Sequence, residues 1–344
     1  MIKIKKSEFS TFIKNLQKKY SIFAPVTDGK ATAFKKIKSA KDINNKVLNT
    51  KRSPKEIFFP QSEVLFQYTK EGMEIPKRDE KPFAIWGMRN CDTKSLLLLD
   101  KVFGEAHQMP KKDMYKDPYW KEKYDNCLVF NLACNEPLST CFCNWFDGGP
   151  FDKTGSDIFV VETDENYIFE AVSDKGKKFL KEFKITENAS DKEIKKIEKL
   201  KETAESHFSE KQDISSLFSK TKEIWDEPIW DEIAAKCINC GACAFVCPTC
   251  HCFDVSDEGK GNKGKRIRLW DSCMFAIFTK EASGHNPRSQ STQRVRQRVM
   301  HKYNYFMDNY GEHLCTGCGR CVVVCPVNLD IRGVIKKILD YEKN

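Results

Sequence analysis

Cys237-Ile-Asn-Cys240-Gly-Ala-Cys243-Ala-Phe-Val-Cys247-Pro248 decides how this chain is read, because it occurs twice. The second copy is Cys315-Thr-Gly-Cys318-Gly-Arg-Cys321-Val-Val-Val-Cys325-Pro326. Both runs are C-x2-C-x2-C-x3-C-P, the spacing that wraps a cubane [4Fe–4S] cluster. Zinc sites pair two C-x2-C hooks across a gap. Here three cysteines recur at interval three and the fourth precedes proline, so two [4Fe–4S] clusters fit better than two zinc ions.

Cysteines at interval three in a tight loop present three thiolates to one cube. The fourth is carried away by three residues, and the proline after it suits the first turn of a helix. In two-motif chains that fourth sulfur ligates the other cluster. One cluster is therefore assigned Cys237, Cys240, Cys243 and Cys325, and the other Cys315, Cys318, Cys321 and Cys247. Gly241, Gly317 and Gly319 permit close backbone approach. Sixty-seven residues separate Cys247 from Cys315 and look helical at both ends. That predicts an all-α, helical two-cluster ferredoxin domain over residues 221–344.

Working outward, 344 residues imply about two domains. Phe83-Ala-Ile-Trp-Gly87 reads as a buried strand and Cys127-Leu-Val-Phe-Asn-Leu132 as another, each running into cysteine. The composite prediction is an α+β chain, its N-terminal domain (1–185) α/β-like. A charged helical linker (186–220) would join it to the helical domain. Cys91 follows the first strand, and Cys134, Cys141 and Cys143 follow the second, where α/β units place functional groups. These four thiols are expected to form a third metal centre, [4Fe–4S] ahead of zinc. Cys127, inside its strand, is expected in the core. Asp92 is read as a solvated helix cap in preference to a ligand. Cys250, Cys252 and Cys273 are left as low-weight extra ligands or packing around the clusters.

Other expectations concern shape. Phe9, Phe12, Ile13 and Leu16 predict an amphipathic helix. Ile57-Phe58-Phe59 reads as a strand, and Trp270 to Phe278 as opening a helix. Asp157–Val161 and Tyr167–Val172 read as a hairpin. Thr292 to Tyr310 reads as one long helix, with Arg294, Arg298 and Lys302 along one face, either solvated, beside an anionic cluster or facing a partner. Gly259 to Lys265 nearly matches a phosphate-binding loop. It lacks the Ser or Thr for magnesium and any preceding apolar strand, so a hairpin or surface turn is expected.

Lys plus Arg total 58 against 49 Asp plus Glu, a net +9. Nucleic acid is one reading of such a balance, but clusters held by four thiolates are anionic and would consume part of it. A zinc-dependent nucleic-acid binder is therefore the lesser alternative. No apolar stretch reaches the roughly 18 residues of a membrane span. The start has no apolar signal segment, and sixteen cysteines are expected as ligands or free thiols in a reducing cytoplasm. No dinucleotide fingerprint and no acid–base constellation is present. A catalytic reductase acting at the third cluster is the other alternative.

Cys91-Asp92, Cys141-Phe-Cys143, Cys247-Pro-Thr-Cys250-His-Cys252-Phe, Trp270-Asp-Ser-Cys273, Gly284-His-Asn-Pro-Arg288 and the doubled motif together carry a resemblance. The chain resembles the iron–sulfur beta subunits of sulfhydrogenase-type nickel–iron hydrogenases and the A subunit of anaerobic sulfite reductase. The resemblance covers nearly the whole chain. It implies a cytoplasmic electron-transfer subunit that binds no flavin or nicotinamide itself. The partners it implies are a flavin- and NAD(P)-binding reductase subunit and a catalytic redox subunit. That second partner is a hydrogenase, a sulfite reductase or a heterodisulfide-reductase-like assembly.

Overall fold

The computed structural model describes residues 1–29, 31–76, 81–104, 116–208 and 210–342. Mixed sheets and helices make it an α+β protein. Seven of the described strands form one sheet: β1 (Ile2–Lys5), β2 (Ser21–Asp28), β3 (Ala31–Lys36), β6 (Phe83–Met88), β7 (Cys127–Leu132), β8 (Ile158–Glu162) and β9 (Asn166–Ala171). Their order is β1-β9-β8-β7-β6-β2-β3. The central pairs β2–β6, β6–β7 and β7–β8 are parallel. The outer pairs β1–β9, β8–β9 and β2–β3 are antiparallel.

Parallel strands need both faces covered, and β6 and β7 read as near-continuous apolar runs for that reason. One face packs on α1 (Phe9–Lys19), through Phe12, Ile13 and Leu16, and on Phe179 of a later helix. The other packs on α3 (Asn90–Phe103) and α4 (Pro118–Asp125), through Leu96, Leu99, Phe103 and Trp120. Cys127 lies in this second core. The short helix α2 (Lys55–Phe58) occupies the position expected to be a strand. A four-residue apolar run does not distinguish the two, and here Phe58 and Phe59 are buried against α4 and α3.

α5 (Asp174–Glu182) and α6 (Asp191–Ser206) follow the β8–β9 hairpin. α6 is charged, yet Ile197 and Ala204 are buried against the outer part of the sheet. Glu193 fastens it, accepting from the Ser190 backbone, Asn166 and Lys3 of β1.

Helices dominate after residue 210: α7 (Leu217–Glu223), α8 (Ile229–Ala234), α9 (Ala242–Phe245), α10 (Ser291–Met300), α11 (Phe306–Tyr310), α12 (Arg320–Val324) and α13 (Ile331–Leu339). The region is not all-helical, however. β10 (Phe253–Lys260) and β11 (Lys263–Trp270) form the hairpin that replaces the near phosphate-loop match. β11 also pairs with β4 (Ser62–Thr69), and β4 with β5 (Gly72–Glu74), in a second, four-stranded sheet. The expectation failed because the partner strand lies some two hundred residues earlier. Trp270 ends β11, and the stretch from there to Phe278 runs into a 3-10 turn, Ala276–Thr279, in place of the expected helix. Pro326 opens a turn, and the helix after it starts only at Ile331.

α10 and α11 are one rod joined through a π-helical turn, His301–Tyr305. Such turns re-aim side chains and are frequent at functional sites. This one turns Lys302, Tyr303 and Asn304 inward.

Candidate iron–sulfur centres

The cysteines line three cavities. Cys237, Cys240, Cys243 and Cys325 share the first, with Cys321 on its inner wall. Cys247, Cys315, Cys318 and Cys321 share the second. Cys91, Cys134, Cys141 and Cys143 share the third, with Cys318 on its wall. Cys250, Cys252 and Cys273 line none of them.

The first cavity is local. Gly241 (φ +72°) starts α9, as Gly319 (φ +73°) on the wall of the second cavity starts α12, a left-handed entry that L-residues resist. Cys325 accepts a hydrogen bond from the Leu329 backbone at 3.2 Å. Cys240 is the one exposed cysteine of the sixteen, and neighbouring Ile238 is 61% exposed.

In the second cavity, Lys302 is buried and its ammonium donates to Cys247 Sγ (3.2 Å), Thr249 Oγ1 and the Leu314 carbonyl. Burial opposes its charge, but the surrounding Cys247 and Cys250 sulfurs hold its pKa above the usual lysine value. The buried Tyr303 hydroxyl has no oxygen or nitrogen partner and stands beside the Cys315 thiol. The π-helical turn thus aims two donors at two cysteines of one cavity. Lys302 and Arg294 are buried, so their row does not face solvent.

The third cavity is built from distant parts. Cys91 lies in the first turn of α3, just past the C-terminal end of β6, and Cys134 lies just past β7. Arg89 ties the strand ends together, donating to the Leu132 and Ala133 carbonyls and to those of Asn45 and Val47. Asn90, which sequence reasoning passed over, faces both Cys134 and Cys143 at 3.8 and 3.9 Å. Burial pushes the Cys134 thiol to about 11 and the Cys143 thiol to about 12. Buried thiols of this kind give up protons only to a metal that replaces them.

Asp92 is not a solvated cap. It is 1% exposed and forms a bidentate pair with Arg320, at 2.7 and 2.9 Å. Arg320 belongs to the second cysteine run, and its Nε donates to the Thr50 carbonyl. The same seam carries Phe142 N–H to the Gly317 carbonyl and Asn49 to the Cys318 carbonyl. The third cavity is therefore closed by the motif that lines the second.

Two observations test whether these cavities suit [4Fe–4S] groups. Among the described residues, no three His, Cys, Asp or Glu side chains converge as one metal ion requires. Tetrahedral zinc needs its sulfurs about 3.8 Å apart, whereas a cube of four irons spreads them wider. Moreover, among the described residues Lys55, Arg89, Arg268, Arg294, Lys302 and Arg320 are buried against two buried carboxylates, Asp92 and Asp100, and Arg268 is the one that also pairs with the nearly buried Glu63 and Asp117. An interior with that cationic excess suits anionic groups, and the residues fit.

Comparison with known proteins agrees. Residues 236–329 match the family described as "4Fe-4S dicluster domain". Sulfhydrogenase 2 subunit beta of Pyrococcus furiosus is 27% identical over 339 residues, covering 98% of this chain and 98% of that protein. The chain is a homologue of the iron–sulfur beta subunits. The likeness extends well beyond the dicluster region, so it takes in the elements that build the third cavity. No solved structure matches. No described helix is long and apolar enough to cross a membrane.

Proposed function

We propose that this beta-subunit homologue is an electron relay with three [4Fe–4S] clusters. Cys237, Cys240, Cys243 and Cys325 hold the first, Cys247, Cys315, Cys318 and Cys321 the second, and Cys91, Cys134, Cys141 and Cys143 the third. Each cluster supplies a one-electron couple when bound. The chain's own residues hold it, exclude water and set its surroundings.

The observation that carries this reading is the shared walls. Cys321 borders the first and second cavities, and Cys318 the second and third. The centres then stand in line, third–second–first, with the first at the surface beside Cys240 and Ile238. Lys302, Tyr303 and Arg320 place positive charge and donors in the middle. Hydrogen bonds and charge near the sulfurs set cluster potentials.

The relay joins a flavin- and NAD(P)-binding reductase subunit to a catalytic redox subunit, as part of a cytoplasmic complex. The name of the Pyrococcus relative supports a sulfhydrogenase-type assembly. The test is reconstitution. The chain mixed with a flavin reductase subunit and a catalytic subunit should carry electrons between them. The reading is overturned if the two partners exchange electrons equally well without it.

A further inference from the structure

Arg294, Arg298 and Lys302 stand four residues apart along α10 and the π-helical turn that follows it. Two of the three are fully engaged. Arg294 donates to the Arg288 and Ser289 carbonyls at 2.9 and 2.7 Å, and to Asn239 Oδ1 in the loop of the first cavity at 3.4 Å. Lys302 is held in the second cavity by Cys247 Sγ, Thr249 Oγ1 and the Leu314 carbonyl. Arg298 is different. Among the described residues no carbonyl or carboxylate pairs with its guanidinium, and its Nε is buried without a partner. It also has a place that neither neighbour has. Cys321, Ile331 and Arg298 line both the first and the second cavity. Ile331 is apolar and Cys321 is a proposed ligand of the second cluster, so Arg298 is the one cation common to the two walls among the described residues.

We propose that Arg298 is a positioning residue of the relay, a single guanidinium shared by the first and second clusters that donates to sulfur on both sides and holds both potentials up. A guanidinium carries its N–H donors in a planar fork, has no acceptor and keeps its proton. Burying part of that fork unpaired is costly. The cavities on either side are lined by cysteines, and clusters held by those thiolates are anionic acceptors of the kind the fork lacks. A cation that only packed its helix would pair with a carbonyl or a carboxylate, as Arg294 and Arg320 do. A cation facing a partner subunit would keep its Nε in solvent, and this one is buried. Positive charge and N–H donors near the sulfurs favour the reduced, more negative form of a cluster. When an electron passes between these two centres, one cluster loses it and the other gains it within the field of the same charge. Arg298 gives up no proton and no electron in that step.

The inference rests on the reading of the first two cavities as cluster sites, and the experiment separates the two. The whole chain, purified without oxygen, is titrated potentiometrically and followed by EPR, with iron measured on the same samples. Arg298→Met keeps the apolar stem and removes the charge. The expected result is an unchanged iron content and a fall in the potentials of two centres, the two that survive Cys134→Ser. Each one-electron equilibrium should shift about tenfold, about 59 mV, while the third centre stays put. Arg298→Lys restores the charge and should recover most of both shifts. Unmoved potentials in an iron-replete Arg298→Met, or a shift confined to one centre, would overturn the proposal. If Arg298→Met fails to load iron, the wild type decides. With heavy nitrogen in its arginine guanidinium groups, pulsed EPR of the reduced protein should show coupling to that nitrogen at both surviving centres. Its absence at either overturns the proposal. A chain that binds no iron at all sinks the cluster reading itself.

Discussion

The first and third cavities hold the same number of cysteines but are made in opposite ways. Three of the four thiols around the first lie within seven residues, and Asn239 and Gly241, both at positive φ, turn the loop between them. The third draws Cys91 from the first turn of α3, Cys134 from the end of β7, and Cys141 and Cys143 from the loop after it. It is then closed by Arg320, 228 residues from its partner Asp92. A local site depends on its own loop, whereas an assembled one depends on every element that brings its parts together. Substitutions at the seam should therefore damage the third site and spare the first.

Arg320→Met is expected to have the largest effect. It leaves the Asp92 carboxylate buried and unpaired, which costs about 3–5 kcal/mol. Chemical denaturation should show that loss, and Asp92→Leu in the same chain should recover most of it. Equal loss from the pair and the single change would mean that Arg320 acts through packing alone.

Gly317→Ala sharpens the contrast with Gly241→Ala. Both glycines have positive φ. A methyl at Gly317 runs into the Phe142 carbonyl and the Cys143 backbone, whereas at Gly241 it meets the Phe275 ring, which can move. The expected costs are about 3–4 kcal/mol at Gly317 and about 1–2 kcal/mol at Gly241. Denaturant midpoints in the opposite order would contradict a seam built on backbone contact.

Lys302→Met removes a buried cation 3.2 Å from Cys247 Sγ. The reduced, more negative form of the proposed second cluster loses its stabilisation. Its midpoint potential should fall while the other two stay put, as read by EPR-monitored titration. A uniform shift of all centres would mean the charge acts at long range.

Glu193→Gln is the smallest and lies far from every cluster. The Ser190 backbone, first, and then Lys3 hold the Glu193 carboxyl down to about 2. Its folded pKa is lowered, so its stabilisation is present above the ordinary glutamate value of 4.5 and is lost as pH falls from there towards 2. The variant should be about 1–2 kcal/mol less stable at neutral pH, and the two proteins should converge in acid. A constant gap from pH 7 to pH 2 would rule out the carboxylate as the cause.

The same contrast governs what the sequence made legible. Cys237 to Cys247 and Cys315 to Cys325 carry their geometry in their spacing. Cys91 and Cys134 could be grouped because β6 and β7 read as buried strands with cysteine at their ends. Nothing local marks Asp92 as the partner of Arg320, or β11 as the neighbour of β4, since both pairings are set by tertiary packing. The π-helical turn left no trace, because Lys302 and Tyr303 also fit a continuous helix. Ile57-Phe58-Phe59 was misread for the ordinary reason that a short apolar run suits either element once it is buried.

The central claim is that the third cavity is a cluster site equal in kind to the two in the repeated motif. Iron and acid-labile sulfide, measured on anaerobically purified wild type and Cys134→Ser, address it directly, with EPR spectra of the reduced proteins. The account predicts about twelve irons in the wild type and about eight in the variant. One EPR component should be lost and the other two unchanged. About eight irons in both proteins, with identical spectra, would contradict it.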